Sequence, residues 1–77
     1  MGWTVVRLLR TSIGGMPDVM LLHPQAPTIF VEVKKIGGRV SPVQRFRHEE
    51  LRQKGFDVRV IDPTHWPLDP AEWSCSD

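Results

Sequence analysis

Two acidic residues and a lysine stand where neighbouring strands would bring them together. Asp18 opens one short apolar segment, and Glu32 and Lys34 close another. Side chains two apart on a strand point to the same face of a sheet, so Glu32 and Lys34 stand side by side. Two carboxylates, a backbone carbonyl such as that of Val33 and several waters form a ligand set that Mg²⁺ accepts. If the strands pair, the sequence predicts a divalent-metal site in which Lys34 orients or deprotonates a water molecule.

The triplet Glu32-Val33-Lys34 also has a simpler interpretation. An acidic residue two positions before a lysine occurs by chance at about one per cent of positions, and an ion pair on the sheet surface would account for it. The flanking sequence favours the metal site. Pro17, which suits the start of a strand, precedes Asp18, and a glycine-rich turn with a capped helix start follows Lys34.

Four strands must carry these side chains. Their β-branched and aromatic content places them at residues 3–10, 19–22, 28–34 and 56–61. The second and third are apolar on both faces, which predicts central positions in the sheet, and the two prolines between them predict a surface loop. On the third strand we expect the odd-numbered residues to face a core. Phe30 shares the other face with Glu32, and the charged pair is predicted to reach the rim.

A helix follows the third strand. Ser41 at the N-cap, Pro42 at the first helical position and Gln44 at the third form a capping-box start, and Gly55 predicts an end near Lys54. The apolar residues that would pack on the sheet are Val43, Phe46 and Leu51. A strand, a helix and a strand in succession favour a parallel pair with a right-handed crossover. The fold class is therefore α/β, with a small mixed sheet of about four strands and a helix packed on one face.

Length and composition limit the class of protein. At 77 residues the chain forms one small domain, and domains of this size often depend on a partner subunit, so we expect an oligomer. Cys75 is the single cysteine, which excludes an internal disulfide and predicts a reducing, cytoplasmic setting. The apolar run at 3–9 is short and contains Arg7, which excludes a signal peptide or membrane span there. The histidines at positions 23, 48 and 65 lack the spacing of a zinc site and are predicted to lie at the surface.

Charge is divided unevenly along the chain. The net charge is +1, but residues 1–61 carry ten Lys and Arg against five acids, or +5, whereas residues 62–77 carry four acids and no Lys or Arg, or −4. The basic part, 1–61, is the predicted core, and it can attract phosphates. The acidic tail, 62–77, contains Trp66 and Trp73, which we expect to dock on the core or on a partner subunit. The predicted nucleic-acid contacts, for which a solvated charged surface is the alternative, are Lys35, Arg39, Ser41 and Arg45.

Four blocks of sequence point to a known family when they are taken together. They stand at residues 15–18, 30–34, 37–44 and 51–58, and read GMPD, FVEVK, GGRVSPVQ and LRQKGFDV. In this order and spacing they resemble the VRR-NUC (virus-type replication-repair nuclease) domain of the PD-(D/E)XK superfamily. No single block is specific, but the set is. The resemblance implies a restriction-endonuclease-like core and Mg²⁺- or Mn²⁺-dependent hydrolysis of DNA phosphodiester bonds.

The resemblance also implies roles for individual residues. Asp18 and Glu32 would bind the metal together with the backbone carbonyl of Val33, and Lys34 would be the catalytic lysine. Gln44 matches a glutamine that family members place in the active site, and its alternative role is to complete the capping box at the helix start. The resemblance implies no organic cofactor and no membrane. Short stand-alone viral and phage members further imply a homodimer that cuts branched DNA, such as four-way junctions, in the host cytoplasm.

The chain departs from the family pattern at its beginning. Related domains usually start with a helix that supplies a further acid near the metals, whereas no Asp or Glu precedes Asp18 here. Either one metal suffices, or another group or subunit completes a two-metal site, or activity is weakened. Two alternative functions therefore stay open: a catalytically weak DNA-binding or assembly module that retains the fold, and a plain α/β domain in which Glu32 and Lys34 form a structural pair.

Overall fold

The computed structural model describes residues 2–65 as a single sheet with one α-helix. Its elements are β1 (Thr4–Arg7), β2 (Val19–His23), β3 (Ala26–Val33), α1 (Pro42–Gln53), β4 (Asp57–Ile61) and a 3₁₀ turn (Pro63–His65). The strand order is β1-β2-β3-β4; the first three strands are antiparallel, and β4 is parallel to β3. The predicted mixed four-stranded sheet, its central strands and its parallel pair are confirmed. The predicted docking of Trp66 and Trp73 lies outside the described residues.

The two faces of the sheet have different compositions. One carries the buried apolar cluster, with Trp3 and Val33 packed against it; its members are Val19, Leu21, Ile29, Val31 and Ile61. The alternate residues of β3, Phe30 and Glu32, face α1, as the strand period predicts. The structure thus separates an apolar face from a face on which polar groups meet the helix. Within residues 2–65 no helix is long and apolar enough to cross a membrane.

The ends of the strands differ from the sequence prediction. The predicted loop at 23–27 is a tight turn, because β2 runs to His23 and β3 starts at Ala26. Pro27 lies inside β3, close to a pairing irregularity between Leu21 and His23, a place where a strand tolerates proline. The predicted first strand was too long. It ends at Arg7 because Arg7 pairs with Val19, the first residue of β2.

The orientation of α1 was predicted wrongly. Phe46 is 63% exposed and Val43 is 53% exposed, whereas the buried residue of the helix is His48. The positions that approach the sheet are Gln44, His48 and the half-buried Leu51, which follow the helical spacing i, i+4, i+7. A search for apolar residues misses this stripe, since two of its three members are polar and contact a buried carboxylate of β3.

The loop before β2 is fixed against the first two turns of α1. The Arg47 Nε–H donates to the Gly14 carbonyl at 2.9 Å. Gly15 has φ +80°, and a Cβ placed there would collide with the Val43 carbonyl oxygen. Pro17 is buried. These contacts set the position of the next residue, Asp18, relative to the helix.

Replacing Gly15 with alanine is expected to destabilise the fold. The backbone conformation costs an L-residue about 1–2 kcal/mol, and the contact with the Val43 carbonyl adds about 1–3 kcal/mol of overpacking. Gly37→Ala is the matched control, because Gly37 also has φ +80° but an added methyl group there would have no atom within 4 Å. Urea denaturation of both variants measures the difference. Equal losses of stability would show that the close approach at Gly15 carries no cost.

Candidate active site

Asp18 and Glu32 come together across β2 and β3. Asp18 immediately precedes β2 and is exposed, and its Oδ2 accepts a hydrogen bond of 2.9 Å from the backbone N–H of Val33. This bond ties the start of one strand to the end of the next. The Asp18 carboxylate also interacts with Glu32, through its charge and through a side-chain hydrogen bond, and both interactions raise the pKa of Glu32. The structure therefore brings the two predicted ligands into one site.

Lys34 and Gln44 complete a network around one oxygen of Glu32. The Gln44 Nε2–H donates to Glu32 Oε2 at 3.2 Å, and Lys34 Nζ lies 3.4 Å from the same oxygen. Lys34 Nζ also donates to Gln44 Oε1 at 2.9 Å. Each of the three side chains thus contacts the other two, which restricts the orientation of all of them.

Gln44 performs its capping role at the same time. Its Oε1 accepts from the Ser41 N–H at 2.9 Å, and its own N–H donates to Ser41 Oγ at 3.3 Å, so both halves of the capping box are present. The two interpretations of Gln44 in the sequence are therefore compatible. The amide oxygen caps the helix while the amide nitrogen holds the carboxylate, so the helix start is fixed relative to β3.

The second oxygen of Glu32 faces a residue that the sequence analysis placed at the surface. His48 is 2% exposed, and its Nε2 lies 3.4 Å from Glu32 Oε1. The surface prediction for His48 was wrong, because the residue stands one turn beyond Gln44 on the stripe that faces the sheet. That spacing of four from Gln44 is the signal that could have identified it. Glu32 itself, predicted at the rim, is 1% exposed.

The electrostatics of the site follow from this burial. Burial, the largest cause, and the neighbouring Asp18 carboxylate together raise the pKa of Glu32 from 4.5 to about 7, against a smaller lowering by Lys34. Burial also lowers the pKa of His48, with the nearby charges of Arg52 and Lys34 acting in the same direction. The site therefore disfavours both the ionised form of Glu32 and the protonated form of His48.

The residues present fit a hard divalent cation. Asp18 and Glu32 supply carboxylate oxygens, and Glu32 Oε1 is buried without a hydrogen-bond partner among the described residues. A cation between the two carboxylates would remove their repulsion. No cluster of three or more His, Cys, Asp or Glu able to hold a metal occurs within residues 2–65. A ligand set of two carboxylates, a carbonyl and waters is one that Mg²⁺ favours.

The predicted nucleic-acid contacts lie in the loop after β3 and at the start of α1. Lys35 and Arg39 are exposed in the loop after β3, and Arg45 is exposed on the first turn of α1. A shallow cavity of about 190 Å³ adjoins Lys34 and Lys35 and the glycine turn that follows them. Ser41 Oγ is engaged in the helix cap. Lys35, Arg39 and Arg45 are therefore stronger candidates for phosphate contacts than Ser41.

A further cation, which was not among the predicted contacts, stands at the end of β1. Arg7 lines a cavity of about 420 Å³ together with Asp18 and Val33, and the remaining lining residues are Leu8, Leu9 and Val19. The Arg7 side chain forms no hydrogen bond or ion pair with another residue in the part of the chain that the structure describes. Its position follows from strand register, since Arg7 pairs with the residue after Asp18.

Comparison with known proteins agrees with this fold. The family model described as the VRR-NUC domain matches residues 4–64. A solved structure titled "VRR_NUC domain" superposes with a TM-score of 0.71 at 32% sequence identity, covering 79% of this chain and 67% of that one. A search of curated proteins finds no significant match. Because the family match spans most of the sheet, the helix and the site between them, the chain belongs to the VRR-NUC domain family.

Proposed function

We propose that this chain is a divalent-metal-dependent DNA endonuclease. Its family implies a nuclease-type fold and DNA as the substrate. The observation that carries the proposal is the convergence of Asp18, Glu32, Lys34 and Gln44, which are spread over 27 positions of sequence, into one hydrogen-bonded site. A structural ion pair between Glu32 and Lys34 needs no second carboxylate beside it. Asp18 is such a second carboxylate, and it makes the ionised form of Glu32 unfavourable unless a metal cation binds between the two.

The residues have distinct roles in phosphodiester hydrolysis. Asp18, Glu32 and the Val33 carbonyl would hold Mg²⁺ or Mn²⁺, which supplies positive charge for the phosphate in transfer and lowers the pKa of water. Lys34, which is 23% exposed, can present its ammonium to the phosphate or to the attacking water while Gln44 holds it in place. Gln44 also keeps Glu32 Oε2 occupied, so that rotation of the carboxylate is restricted.

The substrate that we propose is a narrower class than DNA in general. A basic core favours phosphate binding, and a chain of 77 residues gains stability from a partner subunit. We therefore propose a homodimer that cuts branched DNA such as four-way junctions, two sites being suited to two strands that diverge from one point. Sedimentation velocity gives the subunit number.

The test is a cleavage assay with labelled four-way junctions, linear duplex and single strands of equal length. We expect cleavage with Mg²⁺ or Mn²⁺, no cleavage in EDTA and a preference for the junction. Asp18→Asn is expected to be inactive while remaining folded, since Asp18 is exposed. Cleavage that survives EDTA or this substitution would contradict metal-dependent hydrolysis at this site.

A catalytically weak DNA-binding module is the second candidate function. The observation that favours it is the absence of a third acidic ligand from the described residues. Calorimetry separates the two functions. Salt-dependent DNA binding without Mn²⁺ binding that depends on Asp18 and Glu32 would support the binding module.

Arg7 gives a prediction about the path of the DNA. If a strand leaves the site through the cavity beside Asp18, Arg7→Gln removes one phosphate contact, weakens DNA binding in EDTA and lowers the salt-dependence slope by about 1. Lys54→Gln is the matched control, because it removes the same charge at the far end of α1, where Lys54 is 64% exposed. Fluorescence anisotropy at several salt concentrations measures both. Identical slopes for the two variants would place the DNA elsewhere.

A further inference from the structure

His48 and Glu32 form a buried pair between α1 and β3. Their side chains are 2% and 1% exposed, and His48 Nε2 lies 3.4 Å from Glu32 Oε1. Neither atom has a hydrogen-bond partner among the described residues. A buried polar group without a hydrogen-bond partner is unfavourable. Two such groups facing each other are therefore best explained as partners that a small movement joins.

Two residues of α1 approach the two oxygens of Glu32 separately. Gln44 contacts Oε2, and His48, four residues later on the same face, contacts Oε1. A carboxylate held through one oxygen can rotate about its last bond, whereas one held through both oxygens has a fixed plane. Each carboxylate oxygen has two lone pairs, so a bond from His48 leaves Oε1 able to bind a cation as well.

We propose that His48 is a positioning residue for Glu32: its Nε2–H donates to Oε1 and fixes the plane of the carboxylate for metal binding. This inference rests on the proposed function, because it assigns Glu32 to the metal. His48 acts through Glu32 and has no contact with the substrate. The imidazole is therefore the tautomer protonated at Nε2, which is a property of the metal-free protein.

Three substitutions test the proposal. His48→Leu keeps an apolar volume but removes the donor, and His48→Gln restores an amide donor of similar reach. Val58→Ala is the packing control, since Val58 is 1% exposed and contributes no polar group to the site. Each variant is examined for Mn²⁺ affinity by calorimetry, for thermal stability in EDTA, and for kcat and KM on DNA.

The expected pattern separates positioning from packing. His48→Leu should bind Mn²⁺ about 10–100-fold more weakly and lose kcat to a similar extent, as outer-shell partners of metal ligands do, with KM for DNA unchanged. His48→Gln should recover much of both losses. Val58→Ala should melt at a lower temperature with unchanged Mn²⁺ affinity. Wild-type Mn²⁺ affinity in His48→Leu, or no recovery in His48→Gln, would overturn the proposal.

A nuclear magnetic resonance measurement tests the hydrogen bond without metal or activity. Long-range ¹H–¹⁵N spectra of the wild-type protein in EDTA report which imidazole nitrogen of His48 carries the proton. We expect the Nε2-protonated tautomer, and protonation at Nδ1 alone would overturn the proposal. If wild type shows this tautomer but neither binds Mn²⁺ nor cleaves DNA, the proposed function has failed while the hydrogen bond stands, so the two failures are distinguishable.

Discussion

Replacing Glu32 with glutamine is expected to abolish DNA cleavage and to flatten the dependence of stability on pH. The substitution removes the buried one of the two carboxylates, so the loss of kcat should be at least about 10³-fold. The same substitution should not harm stability, because it removes an unfavourable buried charge. In the absence of metal, the ionised form of Glu32 is unfavourable because it is buried beside Asp18.

The direction of the pH effect follows from the two pKa values of Glu32. Its pKa is 4.5 in the unfolded chain and about 7 in the folded protein. The folded state therefore binds the proton more tightly, so the stabilisation is fully present below pH 4.5 and is lost as the pH rises to about 7. Between about pH 5 and pH 8 wild type should lose on the order of 2–3 kcal/mol that the glutamine variant retains.

Urea denaturation in EDTA at the two pH values measures this difference. All other groups titrate in both proteins, so subtracting the two pH profiles isolates Glu32. Added Mg²⁺ should restore stability to wild type at pH 8 but not to the variant, because ligand binding to the folded state stabilises it. Parallel pH profiles for the two proteins would show that Glu32 has an ordinary pKa and that the two carboxylates are not coupled.

Replacing Lys34 with methionine is expected to give the second large effect. The ammonium lies 3.4 Å from Glu32 Oε2, and it donates to Gln44 Oε1 at 2.9 Å. Methionine retains most of the apolar length of the side chain but neither the charge nor the donor. The loss of kcat should fall between about 10² and 10⁴-fold, the range for a positioned proton donor or acceptor. DNA binding in EDTA should change little.

Lys35→Met is the matched control for this prediction. Lys35 is the next residue along the chain and is exposed, and within residues 2–65 no hydrogen bond or ion pair joins it to Glu32, Lys34 or Gln44. Its loss should raise KM through one lost phosphate contact and leave kcat nearly unchanged. Single-turnover cleavage and anisotropy titrations distinguish the two effects. Equal reductions of kcat in both variants would mean that Lys34 contributes general positive charge and has no specific catalytic role.

The amino-acid sequence was sufficient to predict most of the fold. The β-branched runs and the capping box at 41–44 are local signals, and they gave the four strands, the helix start and the parallel pair that the structure contains. The errors occurred where tertiary contacts override local patterns. Strand ends depend on where the partner strand begins, as at Arg7 and Val19. Helix orientation depended on polar contacts, which a search for apolar periodicity does not weigh.

By itself the sequence determined which side chains are available to the site and on which face of β3 they stand, because the alternation of a strand is fixed by its backbone. It therefore predicted that Glu32 and Lys34 lie together and that Asp18 belongs with them. The tertiary structure alone decided how deeply Glu32 is buried and that His48 faces its second oxygen. Burial and the pKa that follows from it depend on what packs against a residue from other elements, and that information is not local to any segment of the chain.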